Sequence, residues 1–270
     1  MKFTKMHGCG NDFVVLDAVN DTLPADLPGL SRRLADRHFG VGCDQVLVVA
    51  PSDIADVRML IFNNDGSEVE MCGNGIRCLA KYVWDTGLSR KPALTVETLA
   101  GIIKPCRDGE QVRVDMGVPR FDTADWDMGS APVIARELAV GDTALPVTLV
   151  SMGNPHCVSF HDALTDDLVL GLGPQLESHP VFPNRINVEF IQVVNRSELI
   201  MRVWERGSGE TLACGTGASA SCVAAVLNDL TERNVLIRLK GGNLHLEWGS
   251  DNHVHMTGPA VTVFRGEWRD

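Results

Sequence analysis

The sequence has no apolar run approaching the roughly 18–20 residues that a membrane-spanning helix needs. Its opening stretch, MKFTKMHGCGNDFVVLD, holds nothing longer than FVVL that could serve as the apolar region of a signal peptide. Basic residues are few, 24 Lys and Arg against 35 Asp and Glu, which leaves a formal net charge of −11. They are spread thinly, without a basic stripe, so neither nucleic acid nor an anionic membrane surface is an expected partner. The acidity itself names no substrate. The eight cysteines (Cys9, Cys43, Cys72, Cys78, Cys106, Cys157, Cys214 and Cys222) include no CxxC pair and no CxxC…H spacing, so no zinc site is expected. The expected location is the cytoplasm, where thiols stay reduced, and most of these cysteines then read as small buried hydrophobes.

What is present is a chain of 270 residues, 44% hydrophobic, long enough for one or two domains with a sizeable core. Short alternating apolar segments predict strands over 13–18, 45–50, 57–62, 111–116, 147–152, 186–194, 199–204, 235–240, 244–248 and 260–264. Gly, Pro, Asn and Asp punctuate them. Helices are fewer. One is predicted over 29–40, with Leu30 and Leu34 one turn apart and Gly40 at its end. A second follows Cys72, where Ile76, Leu79, Ala80 and Val83 share a face. A third, GASASCVAAVLNDL after Cys214, is small or apolar nearly all round, the pattern of a helix buried on every side and sheathed by sheet.

Two short strings stand out. EMCGNGIRC at 70–78 and ACGTGASASC at 213–222 both set a cysteine before a Gly-x-Gly turn that opens an apolar segment, with the cysteines 142 residues apart. Aligned on them, the two halves of the chain repeat. Asn11 lies 61 residues before Cys72, and Asn154 lies 60 before Cys214. Gln45 and Asn187 each precede their cysteine by 27, Asn63 and Glu205 by nine, and Glu68 and Glu210 by four. VRVDMG at 112–117 matches VHMTG at 254–258, and the tail beyond Gly258 has no counterpart. Duplication of a stable β-fold explains the apolar positions and turn glycines. It explains less well why amides and carboxylates recur at the same offsets.

A helix N-terminus presents unpaired N–H groups with partial positive charge. It therefore stabilises a thiolate, and it binds carboxylate or phosphate. Gly73, Gly75, Gly215 and Gly217 would leave room for an anion to approach. Each half thus offers one polarised thiol and half an anion cradle. Two opposed thiols suit inversion at a carbon by proton transfer, one removing the α-proton while the other delivers one from the opposite face. Such chemistry needs neither metal nor electron-sink cofactor. It does need amides on the developing charge and closure against water.

The strings KMHGCGNDFVVLD, DGSEVEMCGNGIRC, MGNPHCV and WERGSGETLACGTGASA resemble the diaminopimelate epimerase family, PLP-independent epimerases of lysine and peptidoglycan biosynthesis, and the resemblance runs over essentially the whole chain. It implies an α+β fold of two pseudo-symmetric domains, each a β-barrel-like sheet around a central helix, with the active site in the cleft between them. The implied halves are 1–117 with 260–270, and 118–259. It further implies Cys72 and Cys214 as the acid/base thiols. Gly73, Asn74, Gly215 and Thr216 would form the cradle around the α-carboxylate, with Asn11 and Gln45 in the pocket wall. Asn63, Asn154, Asn187, Glu205 and Arg206 would grip the distal amino-acid end of diaminopimelate, and His156 and Glu205 would support the thiols. No cofactor and no metal are implied, and a homodimer is compatible with it.

A Glu205/Arg206 pair matches the distal ammonium and carboxylate charge for charge, and an arginine can take the carboxylate bidentately. An ordinary surface ion pair is the plainer alternative for an isolated Glu-Arg dipeptide. Rival functions remain. A proline or hydroxyproline racemase-type enzyme also opposes two cysteines, but tends to carry His where this chain has Asn74. A relative of the phenazine-biosynthesis isomerase type lacks the paired cysteines. A non-catalytic amino-acid binder would need the cradle without the thiols, and a redox sensor the thiols without the pocket. Two opposed thiols could also oxidise to a disulfide, so the protein is expected to need reductant.

Overall fold

A computed structural model describes residues 1–122, 124–129, 132–141 and 143–269, and it divides into two compact units, Met1–Asp115 with Thr257–Asp270, and Met116–Met256. The first contains β1 (Lys2–Gly8), β2 (Asn11–Asp17), α1 (Leu27–Ala35), β3 (Gln45–Ala50), β4 (Val57–Asn63), α2 (Gly73–Asp85), β5 (Val96–Thr98), β6 (Gly101–Ile103), β7 (Cys106–Asp108) and β8 (Gln111–Asp115). The second contains β9 (Arg136–Val140), β10 (Thr143–Ser151), β11 (Pro155–Phe160), α3 (Asp166–Glu177), β12 (Asn187–Asn195), β13 (Glu198–Glu205), β14 (Gly209–Thr211), α4 (Gly215–Leu227), β15 (Asn234–Leu239) and β16 (Gly242–Trp248). β17 (Val254–Gly258) and β18 (Val261–Glu267) complete the chain. The architecture is α+β: two sheet-rich units with few helices.

In the first unit the sheet runs β18-β1-β2-β3-β4-β5-β6. β2 and β3 are parallel, and a parallel pair needs a crossover, which α1 supplies. β2 and β3 are buried on both faces. Val14, Leu16, Val46 and Val48 meet Leu30 and Leu34 of α1 in one apolar cluster. The alternate residues turn toward α2, which packs on β1, β2, β3, β4 and β8. The C-terminal strand β18 adds to the edge of this sheet beside β1.

The second unit repeats the plan. Its strands run β17-β16-β15-β13-β12-β11-β10-β9, with β14 beside β13. β11 and β12 are parallel and joined through α3. α4 packs on β10, β11, β12, β15 and β16, and Gly215 and the run Gly217–Ala225 are buried, as its all-round apolar sequence predicts. Register makes the equivalence explicit. Phe13 pairs with Gln45, and Gln45 with Asn63. His156 pairs with Asn187, and the β12–β13 register brings Asn187 level with Glu205.

Some segments depart from the sequence expectation. α1 stops at Ala35 rather than reaching Gly40, because the Asp36 carboxylate accepts the N–H groups of His38 and Phe39 and turns the chain. β1 and β11 carry no clear alternation and are strands nonetheless. α3 is the largest omission. Its sequence, DDLVLGLGPQLE, holds two glycines and Pro174, which weigh against a helix. Thr165 caps it by accepting from Leu168 N–H, and Asp166 and Asp167 sit favourably in the first turn. Gly173 is required by packing, since a β-carbon there would lie 2.8 Å from Cγ of Trp204.

Candidate active site

Both helix starts are built alike. Cys72 and Cys214 are the N-cap residues of α2 and α4, each in extended backbone, and each Sγ accepts a hydrogen bond at 3.4 Å from the N–H three residues on, Gly75 and Gly217 respectively. Sulfur thus takes the place that Ser, Thr or Asp oxygen usually fills, and the cap itself stabilises charge on sulfur. The structure gives Gly75 and Gly217 a reason that anion access does not. A β-carbon on Gly75 would press on Cδ2 of Leu47 at 3.2 Å, and one on Gly217 on Oε1 of Glu189 at 2.5 Å. They let strand and helix start approach.

Around Cys72 the groups are amides and one cation. Sγ lies 3.6 Å from Oδ1 of Asn11, which also accepts from Nδ2 of Asn74 at 3.3 Å. Asn11 in turn donates to Asp44 at 2.9 Å. Asp44 and Asp12 share Arg37, and Lys5 also bonds Asp12. Burial works against ionisation of Asp12, yet Arg37 and Lys5 hold its carboxyl down at about 2. Beneath the first turn of α2, Arg77 is fully buried and donates to the carbonyls of Gly73 and Pro259 and to Oδ1 of Asn74. Gln45 donates to Asn63 at 2.9 Å, and Asn63 to Ser67. Every first-half residue the sequence singled out, namely Asn11, Gln45, Asn63, Gly73 and Asn74 with Cys72, therefore lies on α2's first turn or on the ends of β2, β3 and β4.

Around Cys214 the groups are carboxylates and an imidazole. Sγ meets the hydroxyl of Thr216 at 3.5 Å, and Thr216 accepts from Nδ2 of Asn154 at 3.3 Å. Asn154 Oδ1 lies 3.1 Å from Nε2 of His156, whose Nδ1 is 2.7 Å from Glu189. His156 and Glu189 are both wholly buried. On the other side, the carboxylate of Glu205 accepts a hydrogen bond from Thr211 and lies beside the Cys214 thiol. Burial raises the Glu205 carboxyl, although its interactions with Thr211 and Cys214 pull the other way. Burial also pushes the Cys214 thiol well above its usual range, reinforced by the charges of Glu205 and Glu189 and opposed by Thr216 and the Gly217 N–H.

Glu205 therefore sits at the thiol rather than beside Arg206. Arg206 is exposed, its side chain donates to the carbonyl of Asn184, and its backbone N–H donates to Oδ1 of Asn187. Asn187 also donates to the Pro155 carbonyl. Gly215 is buried in the first turn of α4. Sequence reasoning passed over Glu189, Arg77, Thr211 and Asp44. Glu189 and Arg77 each left one trace, a charged residue inside a segment otherwise read as core. Burial also lifts the thiols of Cys78 and Cys222 to about 12 and of Cys43 to about 11, and raises Cys9 and Cys157, but none of these five caps a helix as Cys72 and Cys214 do.

The profile of a family described as diaminopimelate epimerase matches residues 3–121 and 148–263. A diaminopimelate epimerase of Moorella thermoacetica is 54% identical over 276 residues, covering 99% of each chain, and one of Nitrosomonas europaea is 49% identical over 275 residues, covering 98% of each. Among solved structures, a Bacillus anthracis phenazine biosynthesis protein of the PhzF family has a TM-score of 0.72 at 20% identity, covering 100% of this chain and 99% of its own. A hydroxyproline epimerase from Agrobacterium vitis has a TM-score of 0.68 at 17% identity, covering 98% and 91%. At those identities the structural likeness speaks for the fold.

Proposed function

The chain belongs to the diaminopimelate epimerase family, and on that premise we propose that Cys72 and Cys214 interconvert LL- and meso-2,6-diaminopimelate by proton transfer at one α-carbon. The observation that carries this reading is the pair of cysteine N-caps, each sulfur held by the third amide of its own helix. Two thiols so placed form a matched acid and base. One, as thiolate, takes the α-hydrogen as a proton, and the bonding electron pair stays on carbon, delocalised into the α-carboxylate. The other, as thiol, gives its proton to the opposite face. The pair ends with its protonation states exchanged, and the reverse reaction starts from there.

The first-turn amides at Gly73, Asn74, Gly215 and Thr216 hold the α-carboxylate and stabilise the charge that grows on it. Asn11 and Gln45 line the reacting end. Glu205 and His156 govern protonation at Cys214. Asn63, Asn154, Asn187 and the guanidinium of Arg206 bind the distal end of the substrate. Among the described residues no helix is long and apolar enough to cross a membrane, which fits an enzyme of cytoplasmic metabolism. Thiols that work as acid and base must stay reduced, so reductant preserves activity.

The test is to incubate reduced protein with LL-diaminopimelate and to follow stereoisomers by chiral chromatography, with proline and 4-hydroxyproline in parallel. Meso product from diaminopimelate alone is expected. Inversion of proline instead, or of nothing, overturns the substrate assignment.

A further inference from the structure

His156 occupies the place that Phe13 holds in the first half, and Glu189 the place of Leu47. All four are fully buried. The second half has thus put two ionisable side chains where the first half has two apolar ones, at the strand face against which the helix start packs. Buried polar pairs of this kind cost stability unless they are fully hydrogen-bonded. Here they are the far end of a hydrogen-bonded series: Glu189 Oε1, His156 Nδ1 and Nε2, Asn154 Oδ1 and Nδ2, Thr216 Oγ1, Cys214 Sγ, with successive separations of 2.7, 3.1, 3.3 and 3.5 Å.

The direction of each bond can be worked out from the donor side. Thr216 Oγ1 accepts from Asn154 Nδ2, so its own hydrogen is free to point at Cys214 Sγ. Asn154 Oδ1 can only accept, so His156 Nε2 must carry a hydrogen. One further proton lies between Nδ1 and Glu189, on either atom, and the pair is neutral overall. Without an acidic partner at Nδ1, a neutral imidazole could instead carry its single hydrogen there. Asn154 would then turn its amide toward Nε2, and its oxygen would draw the Thr216 hydrogen away from sulfur.

We propose that Glu189 is a positioning residue for the epimerisation: it fixes the hydrogen on Nε2 of His156 and thereby, through Asn154, aims the Thr216 hydroxyl at Cys214 as a donor that holds its thiolate. Glu205 then plays the complementary part. Cys214 thus has donors for its thiolate in Thr216 and the Gly217 N–H, and a carboxylate beside its thiol form in Glu205. The charged and titratable groups facing His156 are Glu189 from β12, Glu205 from β13 and Cys214 from α4, and all enter the argument. The proposal rests on Cys214 being one of the two acid/base thiols, but its test does not need substrate.

The experiment measures the rate of iodoacetamide alkylation at Cys72 and at Cys214 separately, by peptide mass spectrometry from pH 6 to 11. It compares the free full-length protein with Glu189→Gln, Thr216→Val and the double variant. In Glu189→Gln the net charge of the pair stays zero, and the amide, which can turn either its oxygen or its NH2 to Nδ1, no longer fixes the ring hydrogen on Nε2, so the Thr216 donor is no longer held on Cys214. Alkylation of Cys214 should slow by about tenfold below pH 9, while Cys72 is unchanged. Thr216→Val, at the half-buried end of the series, should slow Cys214 similarly, and the double variant should add little to either single one. With diaminopimelate, Glu189→Gln should lower kcat by about tenfold to a hundredfold with KM little changed. Faster or unchanged alkylation of Cys214 in Glu189→Gln, or additive effects in the double variant, overturns the proposal. Wild-type failure to invert diaminopimelate bears instead on the functional reading alone.

Discussion

The two halves share a backbone plan and a cysteine cap, and differ in the charge placed behind the cap. Five residues past Cys72, the first turn of α2 is underlain by the buried guanidinium of Arg77; five past Cys214, the same place in α4 holds Ser219, whose hydroxyl donates back to the Gly215 carbonyl. On the strand side the contrast is reversed, with Phe13, Leu47 and Asn63 in one half and His156, Glu189 and Glu205 in the other. The geometry that presents a sulfur at a helix start tolerated duplication unchanged. The electrostatics did not stay duplicated. A cation lies at one helix start and carboxylates at the other, which makes two chemically identical thiols unequal.

The largest expected effect treats the unequal halves as equally necessary. Cys72→Ala and Cys214→Ala should each lower kcat for diaminopimelate inversion by more than about a thousandfold, followed by chiral chromatography. A variant that keeps a tenth of the activity would show that one half works alone.

Exchanging the buried pairs probes the scaffold. Leu47→Glu buries a carboxyl with no histidine beside it and should cost about 3 kcal/mol in urea unfolding. The reverse exchange, His156→Phe with Glu189→Leu, replaces a buried pair in which Oε2 of Glu189 has no hydrogen-bond partner by apolar side chains, and should change stability by less than about 1.5 kcal/mol while impairing turnover. Equal destabilisation in both directions would mean that the halves are not interchangeable as scaffolds.

A smaller effect sharpens the electrostatic contrast. The ionised Glu205 carboxylate pushes the Cys214 thiol up, so Glu205→Gln should make Cys214 alkylate several-fold faster at pH 8, opposite in sign to the Glu189→Gln result, with Cys72 unaffected. Alkylation that is slower, or that changes at both cysteines, contradicts it.

The smallest concerns the ionic clamp of Lys5, Asp12, Arg37 and Asp44 in the first half. Asp12 titrates at about 2 in the folded protein against an ordinary 3.8, so its contribution to stability is present above 3.8 and is lost as pH falls through 2. With Arg37 more than half exposed, that contribution is about 1 kcal/mol. Asp12→Asn should lower stability by that amount at pH 6 and by almost nothing at pH 2, measured by urea unfolding at the two pH values.

Much of this was legible in the sequence because it is local. A cysteine before Gly-x-Gly at the head of an apolar run is an N-cap wherever it falls, and the recurring offsets of Asn11 and Asn154, Gln45 and Asn187, and Asn63 and Glu205 follow from one register used twice. α3 was not legible, because Gly173 and Pro174 argue against a helix until Trp204 is known to lie against it. Glu189 was hidden for another reason. β12 is buried on both faces at Val188–Ile191, so alternation could not show that this carboxylate points at a helix start, and only the register brings it beside His156. Nor does sequence order reveal that Glu205 leaves its neighbour Arg206 for Cys214.

The central claim is that inversion uses two groups, one on each face of the α-carbon. The direct test is the wild-type reaction of LL-diaminopimelate in heavy water, stopped at early conversion, with α-deuterium measured by mass spectrometry in product and recovered substrate separately. Two thiols predict meso product with one deuterium at the inverted carbon and recovered LL isomer with none. Deuterium-free product, or deuterium in the recovered LL isomer to the same extent as in the product, would mean that a single group removes and returns the proton, and the two-thiol account would fail.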